Sequence, residues 1–452
     1  MMSIHSMKEP VYDVLGIGSG PFNLSLNALL QKTALKSLFI DKAAKMTWHG
    51  GMLLPGARLQ TSFIKDLVTP VDPTSPYSFL AYLVQKKRLY RFLSADFKTP
   101  CRHEFNDYLG WAAQAMPNIH WQEEAREITF DGKHFHIMTC KNRYLAKHLA
   151  MGTGLCPNIP DWARTYMDEK RCFHSSQFSA LLQSCAGKKV TIVGGGQSGA
   201  EIVLALLQEK IYRPASLTWI SERSNFLPLD DSPLTNEYFT PAYVRHFYHL
   251  AEDKKKERLK EQELAASGIS PETLLALARH LYEKEFDSDP LPRVTILPYR
   301  RVFEMASVGD GFRLDCRNLD EARDESLLCH TVILATGYRH ALPHCLQPLL
   351  PHIEVNAKGL PLLQESFAAQ WSGNPHNRIY CLNAGLCSHG IAEPQLSLMA
   401  WRSAVIINHL LGQHFYDVED ASPLLTWDAL PDQQHSIAGH VFSSLANQGM
   451  TS

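Results

Sequence analysis

Nowhere in the 452 residues does an apolar run approach the ~18 to 20 residues that a membrane-spanning helix needs. Met1 to Pro10 lacks the apolar core of a secretory signal, and the first apolar run already belongs to a strand. Charge of one sign is not in excess either. With 44 basic and 46 acidic residues the net charge is -2, which argues against a nucleic-acid or membrane-surface partner. The run Lys254-Lys255-Lys256 lies among Glu252, Asp253, Glu257 and Glu261 and reads as a solvated helix face. None of the ten cysteines forms a C-x-x-C pair or a metal-like C…C…H cluster. Free, mostly buried thiols in a reducing cytoplasm are therefore expected. The 21 histidines include no pair with metal-ligand spacing on one helix, so no metal site is expected. Repeats of solenoid period and low-complexity tracts are missing as well.

What is present is a chain too long for one hydrophobic core, organised by two similar segments. In the first, an apolar strand (Val11 to Ile17) enters a glycine-rich turn, a helix follows from about Phe22, and the strand Ser37 to Ile40 ends on Asp41. In the second, Lys189 to Val193 meets another such turn, then a helix from Ser198 to about Glu209 and the strand Leu217 to Ser221. Each is a β-α-β unit of the kind that builds a doubly wound parallel sheet. From 231 to 292 the pattern becomes charged and helical, with helices expected over Ala251 to Ala266 and Pro271 to Phe286. Strand-like runs resume at Val294 to Leu297, Phe312 to Cys316 and Thr331 to Leu334. A last long helix is expected from near Pro394 to Leu411, stopped by Gly412.

The first turn reads Gly16-Ile17-Gly18-Ser19-Gly20-Pro21. Glycines here allow a tight turn and close approach of a pyrophosphate, whose charge meets the helix N-terminus. Asp41 can accept hydrogen bonds from a ribose and would repel a 2′-phosphate, so the site suits FAD or NAD better than NADP. Pro21 stands where the usual fingerprint has its third glycine. The second turn, Gly194-Gly195-Gly196-Gln197-Ser198-Gly199, matches G-x-G-x-x-G in full. Arg223 follows its second strand and can make a bidentate contact with a 2′-phosphate, favouring NADPH. Its neighbour Glu222 could instead bind a bare ribose, and Arg223 could be a plain surface charge. Two small-residue strand ends, Met151 to Gly154 and Ala335 to Tyr338, fit crossings between two nucleotide domains.

With these pieces placed, the chain resembles the N-hydroxylating flavin monooxygenases of siderophore synthesis, and within them the L-lysine N6-hydroxylase branch. The resemblance runs from Gly16 to Gly412. Its distinctive blocks are Trp48 to Met52, Leu59 to Leu67, Asp72 to Phe79, Asn236 to Phe239 and His389 to Leu398. It implies an α/β fold with two Rossmann-like dinucleotide-binding domains, for FAD and NADPH, and a small mainly helical substrate insert. The expected division is 1–178 and 335–452 for the FAD domain, 179–230 and 293–334 for the NADPH domain, and 231–292 for the insert. The implied reaction reduces FAD with NADPH, forms a C4a-hydroperoxyflavin from O₂ and hydroxylates the terminal amine of a small substrate. Relatives suggest a homotetramer.

The resemblance also assigns residues. Lys65 matches the lysine that binds the substrate's α-carboxylate, although it could pair with Asp66 or reach solvent. A cation there suits an amino acid and repels a diamine such as cadaverine or putrescine. Asn236 matches a second residue at the substrate's polar end, where an amide offers donor and acceptor; it could otherwise cap a turn. Gln60 matches a glutamine beside the flavin ring, and Trp48 and His49 fall in the loop covering it. His49 could equally be a packing residue. Leu396 and Ser397 open the last helix near substrate and flavin. Ornithine-specific relatives carry Asn-Tyr-Ser near the position of Ala266-Ser267-Gly268, so the departure here favours L-lysine. His174 lies in a Phe-His-Ser-Ser stretch without the glycine of the wider flavin monooxygenase motif, and no role is assigned to it. A disulfide reductase would share the two-nucleotide plan but needs a cysteine pair. A sulfide- or ketone-oxidising monooxygenase gives no reason for Lys65, Asn236 or the His389 block. A non-catalytic redox sensor or scaffold that binds nucleotides without turnover is disfavoured by two turns that show no degeneration, although an intact turn does not by itself establish turnover.

Overall fold

The computed structural model describes residues 10–167, 170–286, 292–419 and 423–428. Expectations placed on Met1 to Glu9 and on the chain after Asp428 lie outside the described residues. Two sheets carry the architecture. The first has seven strands, with Ile119–Trp121, Ser37–Asp41, Val11–Ile17 and Arg143–Met151 side by side and parallel. Phe135–Thr139 and Ala125–Phe130 continue it antiparallel, and Ile379–Cys381 adds a late parallel strand against Arg143–Met151. The second has five parallel strands in the order Arg293–Leu297, Ser216–Ile220, Lys189–Val193, Thr331–Leu334, Cys172–His174. Parallel strands are covered on both faces and so read as unbroken apolar runs. Accordingly Leu38, Phe39 and Ile40 are buried, as is every residue of Thr331–Leu334.

This is the two-Rossmann α/β fold expected. Strands Val11–Ile17, Lys189–Val193 and Thr331–Leu334 have the expected bounds. The second sheet recruits chain ahead of residue 179, since Cys172–His174 forms its edge. An antiparallel three-stranded layer (Arg300–Val308, Gly311–Asn318, Arg323–Cys329) follows the insert. The two crossings pair as a short ribbon, Cys156–Pro157 with Tyr338–Arg339. Thr336 Oγ1 donates to the Asn158 carbonyl at 2.6 Å, and buried His174 reaches the Gly337 carbonyl at 2.9 Å. His174 is thus a pin for the crossing.

The insert differs from the expectation in detail. Pro241–His249 is a helix with Thr240 as its cap, burying Tyr243, Val244 and Phe247. The single helix expected over Ala251 to Ala266 is two, Glu252–Glu261 and Glu263–Ser267, broken at Gln262. Buried Gln262 bonds the Tyr243 hydroxyl, which holds the break in place. Lys255 is not on a solvated face: it is buried, with its ammonium 5.5 Å from the Tyr248 ring centre. Helix Pro271–Glu283 ends in a 3-10 turn and sets Leu274, Leu277 and Leu281 into the core of the second sheet's unit. The last helix begins at Met399, later than expected, because Gln395 is extended and Leu396–Leu398 form a 3-10 turn. It stops, as expected, at Gly412 in the left-handed region, φ 64°. Among the described residues no helix is long and apolar enough to cross a membrane. Six of the ten cysteines are buried.

Candidate active site

The site grows from the two glycine turns. In the first, Gly18 has φ 85°, and a Cβ there would lie 2.5 Å from the Gly152 carbonyl oxygen, so only glycine lets the two strand ends meet. Asn23 completes the join, donating to the Gly18 and Ala150 carbonyls at 2.6 and 3.1 Å. Asp41 Oδ2 accepts from Ser19 N at 2.6 Å and Oδ1 from Ala43 N at 2.8 Å, so the carboxylate braces the turn as well as facing the cavity. The second turn repeats the logic. Gly194 has φ 131° and abuts the Ala335 carbonyl, where a Cβ would come to 2.1 Å. Helices Pro21–Leu30 and Gln197–Gln208 start directly after these turns, aiming free backbone N–H groups outward.

Both turns open on one cavity of about 1180 Å³. Of the residues singled out from the sequence, Gly18, Gly20, Pro21, Asp41, Trp48, His49, Gln60, Lys65, Gln197, Ser198, Asn236, Leu396 and Ser397 line it. Gly16, Gly194, Gly196, Gly199 and Arg223 are not among the lining residues. Gly16 lies against the Phe39 ring, and Gly199 against the Gly194 carbonyl and Trp219, so both serve close packing. Arg223 is committed to the insert: Nη2 contacts Glu263 at 2.7 Å and Ser267 Oγ at 3.0 Å, and Nη1 donates to the Ser267 carbonyl at 3.1 Å. A guanidinium has five N–H donors, so two remain for a phosphate. Glu222 pairs with Arg301 at 2.6 Å on the exposed surface.

Lys65 does not pair with Asp66. The Asp66 carboxylate is buried and accepts from Val68 N, Thr69 N, Thr69 Oγ1 and Phe79 N. Lys65 is left facing the cavity; burial lowers its pKa, and the Glu237 charge partly offsets that. Asn236 does not cap its turn but ties it to the preceding chain, donating Nδ2 to the Asp231 carbonyl at 3.1 Å and leaving its Oδ1 available. His49 is exposed to the cavity, but protein atoms crowd its ring; that desolvation, with the Arg102 charge, lowers its pKa to about 4, so it is neutral at pH 7. It also has φ 52° and edges against Trp48 at 4.3 Å and Tyr338 at 6.3 Å. Ser397 is buried on the cavity wall, and its Oγ has no partner.

Several wall residues were not singled out from the sequence. Asp230 and Asp231 line the cavity beside Asn236, and Arg102 lines it beside His49. The acid pair stood in plain view before Ser232-Pro233 but has no motif spacing. Arg102 belongs to the site only through the fold, since its partner Glu201 is 99 positions away.

The geometry defines a class: an α/β protein with two dinucleotide-binding units that face one cavity, flanked by a helical insert. The family model for L-lysine 6-monooxygenase/L-ornithine 5-monooxygenase matches residues 10–340, and the chain belongs to this family of flavin-dependent N-hydroxylating monooxygenases of siderophore biosynthesis. It is 42% identical over 426 residues to the L-lysine N6-monooxygenase of Escherichia coli, covering 93% of this chain and 99% of that one. A cadaverine monooxygenase of the desferrioxamine pathway from Erwinia amylovora, solved with FAD, superposes with a TM-score of 0.88. The two are 30% identical over 94% of this chain and 100% of that one. An ornithine N-hydroxylase of Kutzneria sp. 744, solved with reduced FAD, NADP⁺ and L-ornithine, gives 0.82 at 27% identity, over 89% and 99%.

FAD and NADPH are the cofactors of this family. The residues present fit both. A Cβ at Gly20 or at Gly196 would meet nothing within 4 Å, which leaves room for a pyrophosphate at the start of each helix. The unpartnered Ser19 Oγ and Asn23 Oδ1 at the first turn, and Ser397 Oγ at the wall, are buried polar atoms of the kind that a ligand satisfies.

Proposed function

We propose that the protein converts L-lysine to N6-hydroxy-L-lysine with NADPH and O₂, for a hydroxamate siderophore. The observation that carries this reading is Lys65: a cation on the cavity wall that makes no ion pair among the described residues. Lys65 would take the substrate's α-carboxylate and Asn236 Oδ1 its α-ammonium. The first turn with Asp41 would hold FAD, under Trp48 and His49. The second turn would hold NADPH, with Arg223 offering its two spare N–H groups to the 2′-phosphate. Bound there, FAD reduced by NADPH would supply the chemistry that activates O₂, from which the inserted oxygen atom comes.

The chain's own task is to deliver an uncharged nitrogen. Free lysine's side-chain amine has a pKa of ~10.4, so about one molecule in a few thousand is neutral at pH 7. A protonated amine has no lone pair. Holding the charged end at Lys65 and Asn236 lets the other end reach the apolar wall of Leu59 and Leu396, where desolvation favours the neutral form. Gln60 and Ser397 offer an amide and a hydroxyl there to orient the reacting groups. The buried thiols fit a reducing cytoplasm as the working compartment.

A diamine is the second reading, favoured by Asp230 and Asp231 on the same wall, which would suit a distal ammonium. NADPH oxidation and hydroxylamine release with L-lysine, L-ornithine, cadaverine and putrescine separate the two. L-Lysine is expected to give hydroxylamine. Lys65→Ala is expected to lower kcat/KM for L-lysine by about 10- to 100-fold, the worth of a charge-assisted contact, and to spare cadaverine. Equal losses for both amines would take Lys65 off the carboxylate.

A further inference from the structure

Arg102 and Glu201 form a fork-to-fork pair at the cavity wall, with both N···O distances 2.8 Å and side chains 11% and 7% exposed. Arg102 opens the helix Arg102–Gln114 of the first unit; Glu201 lies on the fingerprint helix Gln197–Gln208 of the second. Each end holds something further. Arg102 Nη1 also donates to the Met52 carbonyl at 2.8 Å, at the end of the loop that carries Trp48 and His49. Glu201 Oε1 also accepts from Gln197 Nε2 at 2.9 Å, and Gln197 in turn bonds Thr273 Oγ1 and Ser270 N at 3.1 and 2.7 Å. The same loop leans on the second unit at Gly51, whose carbonyl accepts from Ser179 Oγ at 2.9 Å and whose Cβ position is only 1.8 Å from the Ser176 carbonyl oxygen.

We propose that Arg102 and Glu201 are positioning residues whose ion pair sets the register in which the flavin-side loop and the second nucleotide turn face each other. Burying two charges costs desolvation that an apolar pair of similar volume avoids, so cohesion between the units does not by itself call for this pair. A bidentate fork adds what an apolar contact lacks, a fixed distance and plane. Here that plane ties three pieces: the covering loop through Met52, the second turn through Gln197, and the insert through Ser270 and Thr273. Two nucleotides held by separate domains must meet within a fraction of an ångström for hydride transfer, and a misplacement of about 1 Å costs about 100-fold in rate.

The proposal rests on the reading that both nucleotides use this cavity, and not on which amine is hydroxylated. Its test uses the FAD-loaded full chain with Arg102→Gln, Glu201→Gln and the double variant. Flavin reduction by NADPH is followed anaerobically without amine, and NADP⁺ binding by calorimetry. Each single variant is expected to reduce its flavin about tenfold more slowly or worse, and to bind NADP⁺ severalfold more weakly, with its FAD content that of the parent. The double variant is expected to be no slower than the worse single one, since the two residues act as one unit. Unchanged reduction with only a lower melting temperature, or losses that multiply in the double variant, would overturn it. If Arg102→Gln does not fold, Arg102→Lys keeps the charge and loses the fork. An intermediate rate is then expected, and a parental rate would overturn the proposal. A parent protein that NADPH cannot reduce would sink the two-nucleotide reading itself, whereas a wrong amine leaves this experiment untouched.

Discussion

The two glycine turns share a plan and differ in what holds them. The first is braced from within its own unit: Asp41 bonds Ser19 N, and Asn23 bonds the Gly18 and Ala150 carbonyls. The second is buttressed from outside. Gln197, its first helical residue, bonds Ser270 and Thr273, and Arg223 beyond its second strand bonds Glu263 and Ser267. A self-contained turn suits a nucleotide that stays bound through many cycles. A turn that shares supports with the insert, on which Asn236 also sits, suits a nucleotide that must enter and leave in step with substrate. Sequence similarity between the turns therefore hides a difference in mechanical independence.

The largest expected effect breaks the two turns one at a time. Gly20→Val and Gly196→Val place a side chain in the open space at each helix start. Gly20→Val is expected to yield protein without FAD. Gly196→Val is expected to keep FAD, read from its absorbance, and to lose NADPH-driven flavin reduction by about 100-fold or more. Loss of FAD from both would mean that the turns are not independent. A smaller effect probes the strand tips. Arg223→Gln is expected to narrow the preference for NADPH over NADH by about 10- to 100-fold, equivalent to a charge-assisted hydrogen bond of roughly 1.5–3 kcal/mol. An unchanged preference, from initial rates with each nucleotide, would assign Arg223 wholly to Glu263 and the insert.

How much of this was legible in the sequence follows from how local each signal is. Both turns were, because glycine spacing, a buried strand before and a helix after lie within one short stretch. Lys65 and Asn236 were placed by resemblance, and the fold puts both on the cavity. The helix Pro241–His249 went unread although its signals were present: Thr240 and Pro241 open it, and Tyr243, Val244 and Phe247 lie on one face. Aromatic and histidine residues of low helix propensity masked that period. The break at Gln262 depends on a partner, Tyr243, from the preceding helix, and no local breaker residue marks it. The Arg102–Glu201 pair was least legible of all. Its only local trace is a lone carboxylate between Ala200 and Ile202 on an otherwise apolar helix, and its meaning appears only when two domains meet.

The smallest expected effect asks whether acid loosens the first unit through its own buried histidine. His389, on the segment leading to Ser397, is 1% exposed and stacks on Phe367 at 4.2 Å. Burial lowers its pKa to about 3; the Arg402 and Lys255 charges act the same way, and the Glu365 carbonyl opposes them. Its folded pKa thus lies below the unfolded value of 6.5. For such a group the unfolded chain binds more protons, so its share of stability is complete above pH 6.5 and is lost as the pH falls towards 3. Within the reach of a melting experiment, pH 7.5 to 5, that share is about 1–2 kcal/mol. His389→Asn is expected to melt lower than the parent at pH 7.5, because packing on Phe367 is reduced, but to lose less on going to pH 5. Carboxylates and the remaining histidines are common to both proteins and cancel in the difference. Parallel melting curves across that range would show that His389 accepts a proton in the folded state as readily as in the unfolded chain. Acid sensitivity would then belong to neither unit in particular.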